Sequence, residues 1–192
     1  MQQIGVFGAS FNPPTVGHQD VIMQCDNFFD QILLVPSLSH AFNKALVPIS
    51  DRLHMLQLFL KTWDLPAHVN IFNIEADLQQ ASDDQHAPIY TFDVLTKLTE
   101  LYQTQQKPVQ IWFIMGPDIS QPSVWHKFYR YQDIEKNWPL FHVKERLPIR
   151  STMVREIMLQ YAKAPQRLKA ELAQLVGEPI VDYILLHQLY QG

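Results

Sequence analysis

The segment Gly8-Ala9-Ser10-Phe11-Asn12-Pro13-Pro14-Thr15-Val16-Gly17-His18 gathers residue types that bind and work on phosphate. The chain has six glycines, and Gly5, Gly8 and Gly17 all fall within its first eighteen positions, which opens the backbone there to close approach by a ligand. Thr15 and His18 add a hydroxyl and an imidazole three positions apart, both able to donate hydrogen bonds. A second set comes late in the chain. Ser151, Thr152 and Arg155 place two hydroxyls and a guanidinium close together, donors that hold phosphate oxygens through charge-assisted bonds. Neither set contains the Gly-Lys-Ser/Thr of a Walker loop or a Gly-x-Gly-x-x-Gly fingerprint, which disfavours both of those folds.

Elements of particular kinds must position these groups. Ile4 to Phe7 is a short apolar run that reads as a buried strand, and Phe11-Asn12-Pro13-Pro14 cannot be helical. Val21, Ile22, Cys25, Phe28 and Phe29 then follow at a spacing that suits one face of a helix. A strand, a loop and a helix start aim free N–H groups and the positive end of the helix dipole at one spot. Ser151 and Thr152 are also good helix caps, with Glu156 near a capping-box position, so the same geometry serves a helix start and a phosphate.

Gly8 to Pro13 followed by Thr15-x-Gly17-His18 resembles the nucleotidyltransferase signature Gly-x-Phe-Asp/Asn-Pro with His/Thr-x-Gly-His. Ile149-Arg150-Ser151-Thr152-Met153-Val154-Arg155 resembles the second signature of that superfamily, Ile-Ser-x-Thr-x-x-Arg. The resemblance implies that Gly8, Ser10, Phe11 and Gly17 lie on the ATP phosphates and that His18, with Thr15, donates to the α-phosphate. It further implies that Ser151, Thr152 and Arg155 close on the β and γ phosphates. Thr15 stands where His is commoner, and a hydroxyl keeps a donor but carries no charge.

Bulk properties set the frame. A chain of 192 residues with 47% apolar composition suits one domain, residues 1–192. The net charge is −4 and the basic residues form no run, so a nucleic acid partner is not expected and a small anion must be met by a local cluster. Cys25, the single cysteine, sits at an apolar helix position and reads as core. No apolar run is long enough for a membrane span, so the expected location is cytoplasmic. The sequence is compatible with a homo-oligomer and does not fix the oligomeric state.

Along the chain, apolar strands alternate with amphipathic helices. Gln31 to Pro36 reads as a strand covered on both faces, and the loop after it carries His40 and Lys44 as anion-binding candidates. The resemblance implies a phosphate contact for Lys44. Ser50 or Asp51 is expected to cap a helix ending near Trp63, with Arg52 in its first turn. Val69 to Ile74 reads as a third strand and Glu75 to Pro88 as a polar surface loop. A helix follows Tyr90-Thr91, and Val109 to Gly116 is the central strand, ending in Gly116-Pro117-Asp118. Asp118 at a strand tip can accept from two ribose hydroxyls. Trp125 offers a flat face to an aromatic ring or else packs in the core. Trp138 to Val143 is one more strand, and helices over 167–176 and 179–190 close the chain.

Tyr90-Thr91, Gly116-x-Asp118, Trp125-His126 and the closing helix resemble the nicotinate/nicotinamide mononucleotide adenylyltransferases. That resemblance implies an α/β Rossmann-like nucleotidyltransferase fold, with a central parallel sheet, helices on both faces and a C-terminal helical segment. The implied reaction moves the adenylyl group of ATP, accompanied by Mg2+, onto a pyridine mononucleotide, which Thr91, Asp118 and Trp125 would contact. No protein-held metal is expected. Phosphopantetheine adenylyltransferase and a non-catalytic nucleotide sensor of the same fold are the alternatives. His126 stands where an aromatic is more usual, and the segment before Ile149 is abbreviated, leaving room for one strand where two are expected.

Overall fold

A computed structural model describes residues 1–38, 46–84, 87–161 and 164–191. Five strands form one parallel sheet: β1 (Gln2–Ala9), β2 (Gln31–Pro36), β3 (Val69–Ile71), β4 (Val109–Met115) and β5 (Leu140–His142), in the order β3-β2-β1-β4-β5. β1 is central, pairing Val6 with Leu33 of β2 on one side and with Phe113 of β4 on the other. The strand order reverses between β1 and β4, which opens a crevice at their carboxyl ends.

The apolar runs divide by alternation between the two faces of the sheet. Ile4, Val6, Leu33, Val35, Ile111 and Phe113 pack beneath α3 (Ile74–Ala81), α4 (Thr91–Thr104) and α6 (Tyr131–Asn137). Phe7, Ile32, Leu34 and Ile114 face α1 (Val16–Cys25), α2 (Ile49–Thr62), α7 (Ser151–Gln160), α8 (Pro165–Val176) and α9 (Glu178–Leu186). A short α5 (Pro122–Trp125) links β4 to α6. Cys25 is fully buried, and burial pushes its thiol up to about 12, so it is a core residue. None of the helices among the described residues is long and apolar enough to cross a membrane.

Several local expectations are corrected. The third strand stops at Ile71, and α3 occupies the segment read as a polar loop, because Ile74 and Glu75 turn inward and only the opposite face is solvated. The cap of α2 is Pro48 and that of α7 is Arg150, which frees the Ser50, Asp51, Ser151 and Thr152 side chains from capping. α1 ends at Cys25, so Phe28 and Phe29 lie beyond it, in an aromatic cluster with Trp112 and Phe141. The closing helix ends at Leu186, and Tyr190 belongs to the tail that follows it. β5 forms one edge of the sheet, and no strand follows it among the described residues.

Candidate active site

The carboxyl ends of β1 and β4 and the amino ends of α1, α4 and α7 surround a cavity of about 550 Å³. That volume suits a nucleotide-sized ligand. Neither α1 nor α7 carries an acidic residue in its first turn, so both present an uncompensated positive end.

His18 reaches the cavity from the first turn of α1, half-buried, with its ring 5.0 Å from that of Phe11 and 6.1 Å from that of Phe7. Thr15 is fully buried, and its main-chain N–H donates to His18 Nδ1 at 3.0 Å while its hydroxyl lies 2.9 Å from the same atom. A ring nitrogen that accepts an N–H carries no proton, which assigns the proton of the neutral imidazole to Nε2. Burial holds the His18 pKa down to about 4. Asp118 pulls against that shift and Arg150 adds to it. His18 is therefore a neutral donor at physiological pH.

The second set of residues closes the site from α7. Arg155 donates from Nη1 to the main-chain oxygen of Asn12 at 2.6 Å and from Nη2 to Thr152 Oγ1 at 3.0 Å. Its remaining donors are left for the cavity that it lines. Ser151 donates its hydroxyl to Pro13 O at 2.7 Å. At Gly17 a Cβ would run into the carbonyl oxygen of Ile149, so only glycine lets these two backbones lie so close. A Cβ at Gly8 would meet nothing within 4 Å, and that position opens onto the cavity.

A family model for cytidylyltransferase-like proteins matches residues 6–157, most of the chain. The chain belongs to the cytidylyltransferase-like family. Within it, the nicotinate-nucleotide adenylyltransferase of Bacillus subtilis (strain 168) is 26% identical over 205 residues that span 100% of both chains. The crystal structure of a Vibrio parahaemolyticus protein assigned to the nicotinate-nucleotide adenylyltransferases superposes with a TM-score of 0.77 at 26% identity, covering 100% of this chain and 96% of that one. The Plasmodium falciparum nicotinic acid mononucleotide adenylyltransferase, solved in complex with NaAD, shares the fold with a TM-score of 0.75 at 16% identity over 99% and 98% of the two chains. The α/β nucleotidyltransferase fold is thus that of these enzymes.

This cytidylyltransferase-like site brings Gly8, Ser10, Gly17, His18, Thr91, Asp118, Ser151 and Arg155 onto one cavity. Phe11 and Thr15 lie beneath it and support His18, while Thr152 points outward and meets Arg155. Trp125 takes the core position. It is 4% exposed, stacks on Phe113 with centroids 5.9 Å apart, and donates its indole N–H to Glu135, while Phe128 and Tyr129 line the wall in its place. Thr91 is the first residue of α4 and not its cap, which is Tyr90, whose N–H is taken by Asp93. His40 and Lys44 lie outside the described residues.

Two cavity residues, Arg150 and Glu75, and one residue beneath the cavity, Arg52, escape a reading by motif. Arg150 stands inside the quoted second signature but is masked there by its hydroxyl neighbours. Glu75 hides in a segment that looks polar throughout. It is 7% exposed, accepts from Leu38 N–H at 2.7 Å, and is pushed up to about 7, first by burial, with that bond and Arg52 opposing. Arg52 is 1% exposed and donates to Val47 O, Ser10 O and Ser37 O, clamping the ends of β1 and β2 beneath the site.

Proposed function

We propose that the protein transfers the adenylyl group of ATP to nicotinate mononucleotide, releasing pyrophosphate and forming deamido-NAD, a step of NAD biosynthesis. The observation that carries this reading is the convergence on one cavity of two unopposed helix amino ends with His18, Arg150 and Arg155. Such a cluster suits the triphosphate of one substrate and the phosphate of the other, in a chain that is otherwise acidic.

A phosphate oxygen of the mononucleotide attacks the α-phosphorus of ATP. The bond from that phosphorus to the bridging oxygen breaks, and its electron pair leaves with pyrophosphate. No covalent enzyme intermediate is required, so the side chains act by positioning and by stabilising charge. His18 donates from Nε2 to an α-phosphate oxygen as negative charge grows there. Arg155 and Arg150, with the α7 amino end, take the β and γ oxygens that depart. Asp118 accepts from ribose hydroxyls at the tip of β4. Among the described residues no group of His, Cys, Asp and Glu is set to hold a metal ion, and Mg2+ would arrive with ATP as part of the substrate. A reaction that consumes ATP is compatible with a cytoplasmic location.

Pyrophosphate release from Mg·ATP tests the reading, with nicotinate mononucleotide, nicotinamide mononucleotide and phosphopantetheine offered separately. Turnover is expected with nicotinate mononucleotide. Turnover only with phosphopantetheine, or silence with all three, overturns the assignment.

A further inference from the structure

The tail of the chain returns to the loop that follows β1. Beyond α9 the backbone enters the left-handed region at Gln188 (φ 53°) and again at Tyr190 (φ 63°), conformations that side-chain-bearing residues keep only where their surroundings hold them. Leu189, between them, donates to Ile184 O at 3.0 Å and packs against the core. The ring of Tyr190 packs against the same core, and its hydroxyl lies 3.0 Å from Asn12 Oδ1, 178 positions earlier in the chain. An amide oxygen only accepts, so the hydroxyl donates. Burial raises the Tyr190 pKa well above the usual phenol range although Arg155 and Arg52 pull it down, and the donor proton is retained.

Asn12 is a junction. Only 1% exposed, it also accepts Val47 N–H on Oδ1 at 3.3 Å, while its main-chain oxygen takes Nη1 of Arg155 at 2.6 Å. The side chain that Tyr190 restrains and the carbonyl that aims Arg155 belong to one residue, so turning the first disturbs the second.

We propose that Tyr190 is a positioning residue of the phosphate site, which acts through Asn12 to fix the direction in which Arg155 presents its guanidinium. The tail past the last helix is then part of the anion-binding apparatus and not only a terminus packed on the core. This rests on the reading that Arg155 meets the ATP phosphates, and it is independent of which acceptor is used.

The test is calorimetric titration of Mg·ATP into the parent protein, Tyr190→Phe, Arg155→Lys and the double variant. Tyr190→Phe keeps the ring and removes the bond. It is expected to weaken ATP binding about fivefold, the scale of one neutral hydrogen bond, with the melting temperature lowered by no more than a few degrees. In the Arg155→Lys background the same change is expected to cost less than about twofold, because lysine lacks the fork that Asn12 holds at one end. Unchanged affinity in Tyr190→Phe, or an equal loss in both backgrounds, overturns the proposal. Absence of pyrophosphate release with nicotinate mononucleotide strikes the acceptor reading alone, since the titration contains no acceptor.

Discussion

Thr15 and His18 are locked together, with the Thr15 main-chain N–H and hydroxyl both directed at Nδ1 of the imidazole. The threonine at this position of the motif is fully buried and engages the imidazole directly. It is the fixture that turns Nε2 outward as the donor.

Replacing His18 with Ala removes that donor while leaving the apolar support from Phe7 and Phe11 in place. Turnover is expected to fall by about two to three orders of magnitude, the cost of losing one preorganised charge-stabilising donor. Steady-state pyrophosphate release together with a thermal melt checks this. Near-normal turnover would remove His18 from the chemistry.

The His18 pKa of about 4 gives a further expectation. The ring stays neutral throughout the neutral range, so turnover should show no limb from His18 between about pH 6 and 8. Because the folded value lies below the ordinary 6.5, the stabilisation from keeping the ring neutral is full above 6.5 and is lost as pH falls toward 4. Melting curves of the parent and His18→Gln over that window should converge on acidification. Parallel curves would contradict the assigned protonation state.

Two glycine substitutions separate fold from site. Gly17→Ala drives a methyl into the Ile149 carbonyl and is expected to destabilise by about 2 kcal/mol or more. Gly8→Ala meets no atom of the protein, so it should leave the melting temperature unchanged and raise the KM for ATP by filling ligand space. Thermal melts and kinetics on both variants check the contrast, and a large stability loss at Gly8 would refute it.

Glu75 carries a stability cost that depends on pH. Its folded pKa, about 7, lies above the ordinary 4.5, so the folded state holds an extra proton between those values and loses stability as pH rises through them. Glu75→Gln should therefore stabilise the protein above about pH 7, by roughly 1–3 kcal/mol, and much less near pH 5. Denaturant melts at the two pH values decide it. Equal effects at both would mean that the carboxyl stays ionised throughout.

The parts of this molecule that were legible in the sequence are those set by pattern over several residues. Ile4 to Phe7, Ile32 to Val35 and Ile111 to Met115 are unbroken apolar runs, and only a sheet covered on both faces hides them all. The two segments that meet at the cavity could be read from their unusual residue combinations. Glu75 and Arg52 could not, because polar residues are normally solvated and their burial is decided by the carbonyls and N–H groups of distant segments. Trp125 went to the core for a related reason: its indole N–H found Glu135, so the ring could be buried against Phe113 with its polar atom satisfied.

The contact between Gly17 and the Ile149 carbonyl makes the two cavity-lining segments one mechanical unit. A side chain at position 17 is compatible with the fold only if the backbone at 149 retreats, which would also carry Arg150 and Ser151 away from the cavity. The partner atom is backbone, so the contact restricts the residue type at 17 and only the chain path at 149. That one contact ties together two stretches separated in the chain by β2, β3, β4 and β5, so the cavity keeps its shape only while the strands between them hold both ends in place.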